Sequence, residues 1–383
     1  MKYLKVSALG LGLGAALIMY SCGGGGGGTT TSASTPTVTP ATSSDIQNAT
    51  SLSAGSAGLE TVSNLLTGVG NNNNNAGGVP TPLSLNQSIK SLIYSKLKEL
   101  SKSGKILAQG TSEGTYNCQD GGTVTFKYSW TNPNCTDPSN DYDAACWKNN
   151  EITSTFVANN CKEYGWTYNG SGSSVDKYDN NGWYYGKTHI DKDWIEESDY
   201  YKYTYSTGFD WEYNRINNNT YKISLNGNYE YDDKYQNKSY KSTFKTVSFQ
   251  AEYLKEDEYG DVIEGNYTVN GGIVSYVNGQ LEADVAAQNL TIYSKVGNSV
   301  AGIPDVSRIN GYLYDGSCTK KWYKFETLQD IKTPVGNTCP TEGQLKINNS
   351  LTLTATSNGG IITSDGKTFN SCKDLESQTC NVK

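Results

Sequence analysis

The chain has 383 residues, 31 basic against 38 acidic, and no basic stripe, which argues against a nucleic-acid interface. Hydrophobic residues make up 36% of the chain, but 29 Tyr and 7 Trp supply large, half-polar surfaces that suit sheet faces. A single histidine leaves little room for histidine-based acid–base or metal chemistry.

In chain order, Lys2 and Lys5 precede an uncharged run, Val6 to Met19, that is too short to span a bilayer comfortably. Residues 1–21 are therefore expected to be a signal peptide. The stretch Met19-Tyr20-Ser21-Cys22 resembles the lipobox of bacterial lipoproteins. Ser21 has the small side chain that the family places before its cysteine; Met19 stands where Leu is usual, and Tyr20 is bulkier than the norm. The resemblance implies that Cys22 is acylated (a palmitate-type anchor) and becomes the new N-terminus, with the membrane as a partner through that lipid. Gly23, rather than the aspartate that retains proteins at the inner membrane, favours the outer membrane of a bacterial cell envelope. Ordinary secretory cleavage after Gly23 is the alternative. Removing Lys2 and Lys5 from the 31 basic residues leaves 29 against 38 acidic ones, a balance that favours solubility.

Residues 22–82 are rich in Gly, Ser, Thr and Asn and read as a disordered tether. A short helix around Leu59 to Leu66 is a weaker feature of that stretch. Residues 83–104 carry the strongest helical pattern. Ser84 and Gln87 form a capping box, and Leu85, Ile89, Leu92, Ile93, Leu97 and Leu100 make one apolar stripe. Lys90, Lys96, Lys98 and Lys102 are read as its outer face. The stripe lacks Trp and Phe, so packing on a sheet is favoured over lying on a membrane surface.

From Lys105 the period changes from 3.6 to 2. Val124, Phe126, Tyr128 and Trp130 alternate with polar residues, and Glu151 to Ala158 forms a second strand. Further alternating stretches follow every ten to fifteen residues, without a βαβ pattern. Asn226-Gly227 reads as a bend, the phase change between Phe244 and Val247 as a bulge, and Asn270-Gly271 as a hairpin turn. The expected fold is mainly β. It is an antiparallel meander over 105–383, closing as a barrel or folding as a sandwich, with one N-terminal amphipathic helix packed on it. A transmembrane barrel fits less well, because the alternating faces carry too many Tyr, Asn, Lys and Asp.

With Cys22 assigned to lipid, eight cysteines remain: Cys118, Cys135, Cys146, Cys161, Cys318, Cys339, Cys372 and Cys380. An even number in an exported chain points to disulfides. A shared hairpin register predicts Cys118–Cys161 at the base and Cys135–Cys146 near the tip, with Val124 opposite Phe156 and Tyr128 opposite Ile152.

Cys118-Gln119-Asp120-Gly121-Gly122-Thr123-Val124 and Thr155-Phe156 with Asn160-Cys161 resemble strand motifs of a group of proteobacterial lipoproteins. So do Gly311-Tyr312-Leu313-Tyr314, Trp322 to Thr327 and Cys339-Pro340-Thr341-Glu342-Gly343-Gln344-Leu345. The resemblance implies a β-rich lipoprotein body and carries no activity with it.

No catalytic residue, metal ligand set or cofactor motif is assigned: Gly-x-Ser-x-Gly, phosphate-loop and Cys/His spacings do not occur. His189 reads as a structural strand residue. The acidic turns Asp137, Asp141 and Asp143, then Asp176 and Asp179, then Glu256 to Asp261, have oxygens that could hold calcium, but none matches an EF-hand loop and they read first as solvated turns. A ligand face is the candidate site: Trp166, Tyr168, Trp183, Tyr184 and Tyr185, with Trp183-Tyr184-Tyr185 placing aromatics on both sides of one strand. The expectation is a non-catalytic envelope lipoprotein with a structural or protein-interaction role. The alternative is a module binding a glycan or another envelope molecule on that aromatic face.

Overall fold

The computed structural model describes residues 35–48, 85, 88–93, 95–96, 110–131, 148–258, 262–316, 319–372 and 374. They are mainly antiparallel β, as expected, with few helical residues. The chain divides into a central unit, Gly77–Thr243, and a terminal unit formed by Met1–Ala76 with Phe244–Lys383. The boundary at Thr243 and Phe244 falls within the β region expected over 105–383.

The central unit starts with β1 (Thr111–Asn117), β2 (Thr123–Trp130), β3 (Asn150–Glu163), β4 (Trp166–Asp179) and β5 (Gly182–Glu197), each antiparallel to the next. Val124, Phe126, Tyr128 and Trp130 of β2 all point into the core, as their alternation requires. Phe126 faces Phe156 and Trp130 faces Ile152. This register lies two residues from the expected one. A two-residue slip leaves every side chain on the same face, so the apolar pattern does not discriminate between the two. The Cys118–Cys161 disulfide is present. Cys118, however, sits in the β1–β2 connection, where its N–H donates to Gly122 O at 3.1 Å, and not in the β2–β3 ladder. Cys135 and Cys146 lie outside the described residues.

β6 (Tyr201–Tyr205) and β7 (Asp210–Asn217) both pair with β5 on one side and β8 (Thr220–Asp233) on the other. They act as one strand interrupted where Phe209 drops into the core. The bend expected at Asn226-Gly227 lies opposite this interruption. Gly227 has φ +110°, and a Cβ there would come within 2.7 Å of Phe209 Cα.

The helical residues 85, 88–93 and 95–96 belong to the central unit. Leu85, Ile89, Leu92 and Ile93 are buried, as expected for a helix packed on a sheet. Leu97 and Leu100 lie outside the described residues.

β9 (Lys238–Glu256) crosses the boundary between the units, with the expected irregularity at Thr246, whose φ is +50°. The terminal unit continues with β10 (Val262–Val277), β11 (Gln280–Lys295), β12 (Asp305–Asp315), β13 (Lys321–Thr333), β14 (Glu342–Ile347), β15 (Leu351–Ala355), β16 (Ile361–Thr363) and β17 (Thr368–Phe369). Each pairs antiparallel with the next. Asn270-Gly271 is not a hairpin turn. β10 runs straight through it with a bulge, and the Asn270 side-chain oxygen accepts the Asn289 N–H at 2.6 Å. The turn between β10 and β11 is Asn278-Gly279, with φ +50° and +77°. The core of the terminal unit is richer in aliphatic side chains, among them Val269, Ile273, Leu290, Ile292, Ile309, Leu313, Ile331, Leu345 and Ile347, and also holds Phe244, Phe249, Tyr253, Tyr267, Tyr323, Phe325 and Phe369.

Part of the expected tether is ordered on this unit. Asn348 Nδ2 donates to Thr39 O (2.7 Å), and the N–H groups of Ala41 and Ser43 donate to Ser350 Oγ (2.7 Å) and Asp365 Oδ2 (2.8 Å). α1 (Ser43–Asn48) follows. Thr42 and Asp45 cap it reciprocally: each side chain accepts the other's N–H, at 2.9 and 3.3 Å. Hydrogen bonds from this segment's backbone to side chains of distant turns outweigh the low-complexity composition that argued for disorder. The Cys339–Cys372 disulfide lies in the same unit, while Cys22, Cys318 and Cys380 are outside the described residues.

Candidate functional site

The five aromatic candidates do not form one surface. Trp166 and Tyr168 open β4, whereas Trp183 pairs with Tyr178 near its other end. Ten strand residues separate Tyr168 from Tyr178, roughly 30 Å along the strand. All five are half-buried.

At the first end, rings stack across the sheet. Trp166 lies 5.7 Å from Tyr203, Tyr203 5.1 Å from Tyr231, and Tyr231 5.6 Å from Tyr240. Each inner ring has a face against a neighbouring ring, which leaves mainly edges outward. Tyr168 packs against buried Trp194 instead, and burial beside Glu196 and Glu163 pushes its hydroxyl pKa well up. At the second end, Trp183 stacks on Tyr213 at 4.4 Å and lies flat over Gly186, where a Cβ would meet the indole at 2.4 Å. A register shift between Lys177 and Tyr178 turns Trp183 onto this side. Lys177 Nζ sits 5.8 Å from the Tyr185 ring centroid.

The densest chemistry lies where the helix meets the sheet. Lys96 and Glu163 are both 2% exposed and form an ion pair at 2.8 Å. The other Glu163 oxygen accepts the Gln119 N–H at 2.8 Å, in the connection stapled by Cys118–Cys161. Lys90 pairs with buried Asp176 at 2.9 Å. The Trp183 indole N–H donates to the same Asp176 oxygen at 2.9 Å, and Lys90 Nζ is 5.7 Å from the indole centroid. Ser88 and the Trp194 indole N–H both donate to Glu196 Oε1, the latter at 2.8 Å. Burial raises the Glu196 carboxyl to about 7, even though those two donors oppose the shift. Glu163, Asp176 and Glu196, on β3, β4 and β5, are each capped by one helix residue. The expected outer face of the helix is therefore corrected at Lys90 and Lys96, and Asp176 is no solvated turn residue. The signal was present in the sequence: Lys96 follows Leu92 by four and Ile93 by three, which puts it inside the stripe. This arrangement docks the helix on the sheet.

His189, on β5, faces Asp210 of β7. Its Nδ1 lies 2.8 Å from Asp210 Oδ1, and its Nε2 lies 3.5 Å from Asp191. It ties neighbouring strands, as a structural histidine would. Asp179 takes a two-point contact from Arg215 at 2.7 Å. Asp137, Asp141 and Asp143 are outside the described residues, as are residues 259–261 of the third acidic turn. In the terminal unit, burial and the nearby Asp315 raise the Asp284 carboxyl, while the Thr319 N–H and hydroxyl cap Asp315 at 3.0 and 2.7 Å. Among the described residues, one His/Cys/Asp/Glu cluster has metal-ligand spacing, Cys118, Cys161 and Glu163, and its two sulfurs are bonded to each other.

No protein-family model matches this chain, and neither a curated protein nor a solved structure matches it.

Proposed function

We propose that the chain is a lipid-anchored protein of the bacterial envelope, held through Cys22, whose β units have a non-catalytic structural or protein-interaction role. The observation that carries this reading is the pair of closed disulfides, Cys118–Cys161 and Cys339–Cys372, in a chain that opens on a charged start, an apolar run and Ser21-Cys22. Disulfides persist in oxidising compartments, and the apolar run supplies the route there. A second observation agrees. The described apolar residues of the helix, Leu85, Ile89, Leu92 and Ile93, are buried, which leaves them unable to lie on a membrane surface and is in keeping with attachment through an N-terminal lipid.

The test is membrane fractionation of wild type and Cys22→Ala, with labelling by a palmitate analogue. Wild type is expected in the membrane fraction with label, and the variant in the soluble fraction without it. A soluble, unlabelled wild type sinks the anchor. The second reading, a glycan or envelope-molecule binder, draws support from Tyr200 and Tyr201, 60% and 36% exposed beside the stacked ladder. Loss of glycan retention in Tyr201→Ala would favour it; equal retention would remove it.

A further inference from the structure

At one end of the buried face of β12 and β13, three oxygens have no hydrogen-bond partner. They are Asp305 Oδ2, Ser307 Oγ and Thr333 Oγ1. Their residues are 5%, 2% and 1% exposed. Asp305 and Thr333 face each other directly across the ladder, and Ser307 follows Asp305 by two on the same face. Directly opposed side chains start about 5 Å apart at Cβ, and a neighbour two residues along about 7 Å. The three oxygens thus share one small region, yet none bonds another, although hydroxyl groups rotate freely to find partners.

Asp305 is held firmly in this position. Its Oδ1 accepts the Gly297 N–H at 2.6 Å. The loop that carries Gly297 is closed by the Asn298–Ile303 bridge, with hydrogen bonds of 2.8 and 2.9 Å. Among the described residues, no cationic side chain pairs with Asp305, in contrast to Asp176 with Lys90 and Glu163 with Lys96. A buried carboxylate without a countercharge is strongly unfavourable, and two buried hydroxyls without partners add to the cost.

We propose that Asp305, Ser307 and Thr333 hold a calcium ion. One carboxylate and two hydroxyl oxygens are a hard-donor set, which suits calcium and not a soft metal. Calcium accepts about 6 to 8 oxygens in irregular geometry, so three protein oxygens at fixed strand positions, completed by backbone or water, meet its needs. Magnesium demands a regular octahedron and sheds water reluctantly, so this buried site discriminates against it. The ion supplies the missing positive charge, which a bridging water molecule does not.

The test uses the full mature chain, first stripped with chelator and then titrated with calcium or magnesium. Bound calcium is measured directly after dialysis, and the melting temperature is recorded. Wild type is expected to retain one calcium and to melt about 5 °C higher at a hundredfold excess over the dissociation constant, with little response to magnesium. Thr333→Val and Asp305→Asn are expected to lose the bound calcium and the shift. Without calcium, Thr333→Val is expected to melt at or above wild type, because it removes an unpartnered hydroxyl without changing shape. Circular dichroism and that calcium-free melt verify that each variant folds. The proposal is overturned if wild type binds no calcium. It is also overturned if folded Thr333→Val binds as much as wild type, or if Thr333→Val melts lower without calcium and no variant alters a calcium response, the pattern of a bridging water.

Discussion

The central and terminal units solve the same problem, an antiparallel meander with one buried face, in different materials. The central unit fills its core with rings. Of the 7 Trp, Trp322 alone lies outside residues 77–243. The terminal unit leans more on Leu, Ile and Val, with Tyr267, Tyr323 and Phe325 buried among them. The buried charges differ in the same way. In the central unit a helix covers Glu163, Asp176 and Glu196 with Lys96, Lys90 and Ser88. In the terminal unit, loop groups cap Asp315 and one oxygen of Asp305. Tyr and Trp rings tolerate polar neighbours at their tips, so an aromatic core admits buried acids that a helix then neutralises. In the more aliphatic terminal unit that part is taken by the Thr319 N–H and hydroxyl at Asp315 and by the Gly297 N–H at Asp305.

That contrast is open to direct attack. Replacing Trp322 with Phe makes tryptophan fluorescence a reporter of the central unit alone. The largest effect is expected from Lys96→Ala, which strands Glu163 as a buried charge and should cost about 3 to 5 kcal/mol. In denaturant, fluorescence should show the central unit melting earlier. The double variant Lys96→Met with Glu163→Gln should recover most of the loss. An unchanged Lys96→Ala would break the comparison.

Glu196 gives the next effect. Its folded value near 7 lies above the 4.5 of an ordinary glutamate, so the folded state binds its proton more tightly. The associated stability is complete below about pH 4.5 and is lost as pH rises through about 7, a change of about 3 kcal/mol at most. Glu196→Gln keeps an acceptor for Ser88 and Trp194 and should flatten this slope in denaturation curves from pH 5 to 8. An equal slope in both proteins would rule the group out.

Gly186→Ala places a methyl group where the Trp183 ring now lies, and about 1 to 3 kcal/mol should be lost. Near-ultraviolet dichroism should change with it, since the Trp183–Tyr213 stack is disturbed. The smallest effect belongs to the terminal unit's surface. Arg308 pairs with Asp330 at 2.5 Å and lies 4.8 Å from the Tyr293 ring centroid, but both charged groups are well exposed. Arg308→Ala should cost under about 1 kcal/mol in thermal melts, and less in high salt.

The sequence made the strands readable because alternation is local. Val124 to Trp130 announces its buried face by itself, and the Cys118–Cys161 pairing followed from register reasoning that tolerated a two-residue error. Asn-Gly was ambiguous for a physical reason. The dipeptide's ease at positive φ serves a hairpin at Asn278-Gly279 and a bulge at Asn270-Gly271 alike, and only the partner strand decides between them. Lys96 was misjudged by residue type, although its spacing placed it in the stripe. Thr42 and Asp45 offered a local capping signal, but the docking of Thr39 to Ser43 had none, since its partners Asn348, Ser350 and Asp365 are some three hundred residues away. The same holds for the aromatic candidates: neighbouring strands in sequence order suggested a shared surface, but Trp166 and Trp183 lie at opposite ends of β4.

The docking of Thr39 to Asp45 also dictates an order of events during synthesis. Ala41 is made early, but its partner Ser350 follows 309 residues later. Everything in the central unit emerges in between and can complete its own sheet first, because domains generally fold as units as they appear. The terminal unit must wait for the last strands before its first ordered segment has anything to hold. Synthesis that stops before β14 would therefore leave a chain with a finished middle and an unattached beginning.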